Sequence, residues 1–209
     1  MDTSFFTGWL DEIARLVAEQ REHLTRLDAA IGDADHGTNL DRGFAAVKAA
    51  LAESPPSTPG GALTLAGTTL IRKVGGASGP LYGTAFRQMG RTLGDAEEIS
   101  LKDLATAMGS ALAGVQRLGA AAEGDKTMVD ALAPAVQALT RAAEEGAEPS
   151  EAFEAAARAA REGAKATVPM QARKGRASYL GPRSVGHEDP GAASTALVLE
   201  ALHAVGAAR

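Results

Sequence analysis

The chain of 209 residues has no cysteine, only 4% aromatic residues and no long uninterrupted apolar run. Without cysteine there is no disulfide, no thiol nucleophile and no Cys-type zinc site. That absence also suits a reducing cytoplasm, which is the expected location. Met1-Asp2-Thr3-Ser4 lacks the basic and apolar regions of a signal peptide. A membrane span needs an apolar run of ~18 residues, so no membrane partner is expected. The formal net charge is −5, whereas a nucleic-acid partner calls for a basic face. Strand-like alternation of Val, Ile, Thr and Tyr is nearly missing too.

What remains is 45% hydrophobic and 22% charged, ordinary for a globular chain and long enough to bury a core. Alanine-rich segments dominate, and alanine is the best helix former. An all-α domain over residues 1–209 follows. Leu10, Ile13, Leu16, Val17, Leu24, Leu27 and Ile31 fall at helical spacing, which predicts a first helix from residue 4 to about 31. Gly32 is placed to end it. A second helix is expected from Thr38, carrying Leu40, Phe44, Val47 and Leu51.

The breaker cluster 54–61 reads as a surface loop, followed by a helix over 62–74 and another from Pro80 to about Met89. Ser100-Leu101-Lys102-Asp103 and Thr127-Met128-Val129-Asp130 are capping-box starts of two more. These run to about Gly119 and Glu145. A seventh helix spans Pro149 to about Ala166. Asp189-Pro190 is an N-cap and N1 pair opening the eighth, to about Val205. His23 and His203 lie on these helices and read as surface or edge residues.

Four connections are dense in Gly, Asp, Ser and basic residues: 28–39, 75–80, 119–127 and 167–191. Long loops of this kind are usually functional or disordered. Alternate loops of an up-and-down bundle share one end, which would bring the four together.

The densest puts Asp28, Asp33 and Asp35 within eight residues. Carboxylates ~5 Å apart repel by roughly 3 kcal/mol per pair at an effective dielectric near 20, so water or cations must screen them. One reading makes Asp33 or Asp35 a helix N-cap in a polar turn. The other makes the cluster a site for hard cations such as Mg²⁺. Asp28 in the last turn of a helix, where the macrodipole disfavours an anion, points toward a cation. An EF-hand is excluded, because Thr38 and Phe44 stand where it needs glycine and glutamate. Two Mg²⁺ between three aspartates and a diphosphate would leave a charge of about −2 for basic residues to offset.

Gly75-Gly76-Ala77-Ser78-Gly79-Pro80 ahead of a helix can present N–H groups to an anion, or be a plain flexible turn. It is not a Walker A motif. Lys126 beside a helix start reads equally as a solvated charge. Arg173, Lys174, Arg176 and Arg183 form a basic stretch, and arginine forks suit phosphate. His36 and His187 sit in the dense loops as bases, ligands, phosphohistidine carriers or structural hydrogen bonders.

Five runs occur in order. They are Leu27-Asp28-x-x-Ile31-Gly32-Asp33-x-Asp35-His36-Gly37-x-Asn39, Gly75-Gly76-Ala77-Ser78-Gly79-Pro80-Leu81 and Gly124-Asp125-Lys126-Thr127-Met128. Gly175-Arg176-Ala177-Ser178-Tyr179-Leu180-Gly181 and Gly186-His187-x-Asp189-Pro190-Gly191-Ala192 complete the set. Together they resemble the L subunit of dihydroxyacetone kinase. The resemblance implies an antiparallel up-and-down barrel of eight helices, with ADP or ATP bound at one end through two Mg²⁺. It makes Asp28, Asp33 and Asp35 the metal ligands. It places His36, Asn39, Ala77, Ser78, Gly79, Gly119, Met128, Arg176, Asp189 and Gly191 around the nucleotide, with Arg176 and His36 as the catalytic candidates. Ala34 stands where the family often has glycine. The implied partners are a K subunit holding dihydroxyacetone and an M subunit with a phosphohistidine donor. An ATP-exchanging kinase of trioses or tetruloses and a nucleotide sensor read by a transcriptional regulator are the alternatives. A homodimer stays open.

Overall fold

Alanine and leucine at helical spacing fold into α1 (Thr3–Ile31), α2 (His36–Glu53), α3 (Pro59–Lys73), α4 (Ser78–Leu93), α5 (Leu101–Gly119), α6 (Val129–Glu145), α7 (Pro149–Ala166) and α8 (Pro190–Ala207). The computed structural model describes residues 1–208, and no strand occurs among them. Each helix packs against the next, and α8 returns against α1. That circuit of neighbours is what an up-and-down arrangement requires.

Local chemistry explains the ends. The Ser100 hydroxyl accepts the Asp103 N–H while the Asp103 carboxylate accepts the Ser100 N–H, a complete capping box for α5. Asp189 caps α8 through the Ala192 N–H at 2.7 Å, with Pro190 at N1. At α6 the carboxylate half holds, since Asp130 accepts the Thr127 N–H at 2.7 Å.

Three starts differ from expectation. Helix α3 begins at Pro59, inside the breaker cluster, because Thr58 caps it by accepting the Gly61 N–H at 3.1 Å. Helix α4 begins at Ser78 and runs on to Leu93, where Gly94 at φ +59° ends it. Helix α2 begins at His36 rather than Thr38, capped by a side chain from α1 that local sequence does not reveal. Within 167–190 the chain also forms a 3₁₀ segment, Arg176–Ser184, that carries no helical periodicity.

The few aromatics gather near the start of α1. Phe5, Phe6 and Trp9 pack in sequence, Phe5 also meets Phe153 of α7, and Trp9 meets Phe86 of α4, which in turn meets Phe44 of α2; the Trp9 indole N–H donates to the Val198 carbonyl at 2.9 Å. Asp28 lies nineteen residues further along α1, about 28 Å away along the axis. Apolar mass therefore anchors one half of the bundle and leaves the other end to the polar loops. His203 is half-buried at an edge, and its Nδ1 is covered with no hydrogen-bond partner among the described residues.

Helices α3 and α4 approach closely enough that only glycine fits between them. A Cβ on Gly67 would come within 2.6 Å of the Gly83 carbonyl oxygen, and one on Gly83 within 2.7 Å of the Gly67 oxygen. Gly60 and Gly90 repeat the relation one level along. Gly83→Val should overpack this contact at a cost of about 1–3 kcal/mol, read as a fall of several degrees in the thermal midpoint. An unchanged midpoint would count against the close contact.

Candidate metal and anion site

At the end of α1 the Asp28 carboxylate is buried, and its Oδ2 accepts the N–H of Asp35 at 2.9 Å and of His36 at 3.1 Å. An anion at the C-terminus of α1 thus becomes the cap of α2, where the helix dipole favours it. A Cβ on Gly32 would overlap the Asp28 Oδ1, so glycine keeps that second oxygen clear. Asp35 occupies the N-cap position of α2 but makes no side-chain capping bond. The turn reading, in which Asp33 or Asp35 does the capping, is therefore replaced by capping from Asp28.

Oxygens of Asp28, Asp33 and Asp35 lie within 4.8 Å of one another. All three are hard donors, and Asp33 and Asp35 face solvent. This donor set fits Mg²⁺, which takes a few carboxylates and keeps positions for phosphate and water. Arg176 reaches Asp33 at 3.0 Å. The pair is exposed enough to contribute only ~0–1 kcal/mol, so the guanidinium is free to exchange partners.

The carboxylates open onto a cavity of about 270 Å³, near the ~300 Å³ lower edge of small-molecule sites. All four dense loops reach it: Asp28–His36, Gly75–Ser78, the 119–128 connection, and the stretch from Lys174 to Gly191. Of the residues expected at the site, Asp28, Asp33, Asp35, His36, Ala77 and Ser78 are on the wall. Gly119, Met128, Arg176, Asp189 and Gly191 are there too. Two are not. Asn39 sits behind Gly75, its carbonyl accepting from Arg42 at 2.7 Å. Gly79 packs against the end of α3, where a Cβ would strike the Val74 carbonyl. His187 is exposed and off the wall.

Helix α4 points its first turn at the cavity. The Leu81 N–H is bonded to the Ala77 carbonyl at 3.1 Å, so the N–H of Ser78, which reaches the wall, precedes the helical ladder and is left for an anion. Gly76, at φ +65° with open space beside it, makes the bend that allows this.

From the wall inward runs a polar chain that is buried beyond Ser78. The Ser78 hydroxyl meets His36 Nδ1 at 3.0 Å, and His36 Nε2 meets Ser194 Oγ at 2.8 Å. The Tyr82 hydroxyl joins Ser194 at 2.7 Å and Thr195 at 2.9 Å. Burial pushes the His36 pKa below its ordinary value, against the opposing pull of Asp28 and Asp35. Burial likewise pushes the Tyr82 hydroxyl up to about 12. The neutral imidazole is therefore favoured, fixed at both nitrogens. Tyr82, Ser194 and Thr195 were missed from sequence. Their signal was small polar residues on buried helix faces, with Tyr82 one turn from Ser78.

Of the two readings open for Lys126, the solvated charge does not hold. The side chain is buried, and its ammonium donates to the carbonyls of Met170, Ser184 and His187. Nearby, burial pushes the Asp189 pKa up to about 7, with Asp130 adding to the effect. The Ala192 and Gly191 N–H groups and Lys126 oppose it.

Residues 30–204 match the model of the DAK2 domain. The chain is 42% identical over 195 residues to the PEP-dependent dihydroxyacetone kinase, ADP-binding subunit DhaL, of Escherichia coli (strain K12), covering 93% of each chain. It is 40% identical over 201 residues to the ADP-binding subunit DhaL of PEP-dependent dihydroxyacetone kinase 1 of Listeria innocua, covering 96% of each. The structure is similar to that of the dihydroxyacetone kinase from C. freundii in complex with AMP-PNP and Mg²⁺. The TM-score is 0.72 at 27% identity, over 96% of this chain and 34% of that one. The chain thus spans about a third of that solved kinase.

Two outcomes test this geometry. Ala34 holds φ +62°, a conformation costing a non-glycine residue roughly 1–2 kcal/mol. Ala34→Gly should raise stability to denaturant by about 1 kcal/mol without moving the carboxylates. Asp189 has a folded pKa raised above its ordinary 3.8. The folded state therefore holds the proton more tightly, so Asp189 favours folding fully below about pH 4. That contribution is lost as pH rises through 7, by up to ~1.4 kcal/mol per pH unit. In the ligand-free protein Asp189→Asn should flatten the decline in the urea midpoint between pH 4 and 8. An equally steep decline in the variant would remove Asp189 as its source.

Proposed function

Because the chain belongs to the DAK2 domain family, we propose that it is the nucleotide-binding subunit of a dihydroxyacetone kinase of the phosphoenolpyruvate-dependent type. Bound ADP would accept a phosphoryl group from a phosphohistidine on a donor subunit. The group would pass to dihydroxyacetone held by a K subunit, giving dihydroxyacetone phosphate. The observation that carries this reading is the juxtaposition at one cavity mouth of three carboxylates and a helix N-terminus. A divalent cation and a polyphosphate need these two elements side by side.

Asp28, Asp33 and Asp35 would hold two Mg²⁺, which supply charge neutralisation to the phosphates. The chain's own residues do the rest. The free Ser78 N–H at the start of α4 receives a phosphate oxygen, and the buried Met128 offers an apolar surface to the base. Arg176, released from Asp33, offsets negative charge on the transferring group. His36 is held between Ser78 and Ser194 and serves as a neutral hydrogen-bonding partner with one orientation. Its burial speaks against a phosphohistidine carrier role. Since the nucleotide carries the phosphoryl group, no side chain of this subunit forms a covalent intermediate.

Freshly purified protein, denatured and analysed for released nucleotide, should yield close to one equivalent of ADP. A site that is empty on purification but fills with added ATP would favour an ATP-exchanging kinase instead. Asp33→Asn should cut retention of Mg-ADP by about tenfold or more, the scale of one charged ligand lost. Retention with unchanged Mg²⁺ dependence would remove Asp33 from the metal site.

A further inference from the structure

We propose that Lys126 is a positioning residue for this site. Its buried ammonium clamps the 167–190 segment and so sets Arg176 and Asp189 against the cavity. An ammonium has three N–H donors and no acceptor. Here each donor has one acceptor: the carbonyls of Met170 at 3.0 Å, Ser184 at 2.6 Å and His187 at 2.5 Å. The three carbonyls bracket the 3₁₀ segment Arg176–Ser184, one before it, one at its last residue and one just beyond. Arg176 opens that segment, and Asp189 follows His187 by two residues.

No carboxylate lies within ion-pair distance of Lys126 among the described residues. Three backbone carbonyls therefore hold the charge directly, with Asp189 attracting it from beyond ion-pair distance, and they do so only while the segment keeps its fold. The Lys126 backbone adopts φ +62° to deliver its side chain inward, a conformation that persists in a lysine only when its surroundings over-determine it. The neighbouring stitches are neutral. Arg173 N–H bonds to the Asp125 carbonyl at 3.0 Å, and Asp189 N–H bonds to Thr167 Oγ1 at 2.9 Å. Lys126 is thus the buried charged tie at the base of a segment otherwise closed by neutral bonds and by the exposed Arg176–Asp33 pair.

The consequence for nucleotide rests on the proposed function, whereas the consequence for the segment does not. The absence of cysteine makes a direct test available. Lys126→Cys introduces the chain's sole thiol, and alkylation of the unfolded protein with 2-bromoethylamine before refolding restores an ammonium at nearly lysine length. Two quantities are measured on the full chain: tryptic cleavage between residues 173 and 183 without ligand, and affinity for ADP with Mg²⁺. Lys126→Met should speed that cleavage by about tenfold or more and weaken Mg-ADP binding by a similar factor. Lys126→Gln, which keeps N–H donors and is the milder change, should fall between, and the aminoethylated cysteine should recover both quantities.

Leu104→Ala, a core cavity about 22 Å along α5 from Gly119, serves as the stability-matched control and should shift neither quantity. Cleavage that rises as much in Leu104→Ala as in Lys126→Met at equal loss of thermal midpoint overturns the clamp. Failure of the folded aminoethylated protein to regain protection also overturns it. Loosening of the segment with unchanged ADP affinity overturns the link to Arg176 and Asp189. A wild-type protein that binds no Mg-ADP overturns the proposed function instead, and the cleavage measurement still decides the clamp.

Discussion

Everything at the polar end depends on a single buried carboxylate. Asp28 stands where the dipole of α1 repels it and where the dipole of α2 attracts it, and the two N–H bonds from Asp35 and His36 resolve the conflict. This bond pair closes the 32–35 turn. It also starts α2 two residues early and turns His36 inward. Because Asp28 does the capping, Asp33 and Asp35 keep their oxygens for other partners. Gly32 belongs to the same device, since any side chain there would occupy the space of the Asp28 Oδ1.

The wall behind that turn is polar and buried, a combination that costs stability unless every group is paired. Ser78, His36, Ser194, Tyr82 and Thr195 meet the condition as one chain of hydrogen bonds running from α4 and α2 to α8. Lys126 meets it with three carbonyls. Such networks fix a unique geometry at the expense of tolerance to change. The site is thus rigid at its back, while its exposed face carries the exchangeable Arg176–Asp33 pair.

Much of this was legible in the chain. Helical spacing of apolar residues gives eight helices, because periodicity is a local consequence of burying one face. The Ser100 box and the Asp189-Pro190 start were readable for the same reason, as each involves groups within three residues. The carboxylate cluster and the glycine-rich run were visible as types. Less legible were the ends set by a distant group: α2 took its start from a residue eight positions back. The 3₁₀ segment has no apolar periodicity and is shaped instead by Gly175 and Gly181 at positive φ.

The sequence by itself determined the helical class, the composition of the four polar loops and, through five motifs in order, the family. Those are properties of neighbours along the chain. Tertiary structure decided which carboxylate caps and which remain free, and that Asn39 and Gly79 stand off the wall. It also decided that Lys126 is buried and that His36 is gripped by a serine 158 residues away. Each of these rests on a hydrogen bond or contact between segments that meet only once the circuit of helices closes, and no local pattern encodes which donors and acceptors then face one another.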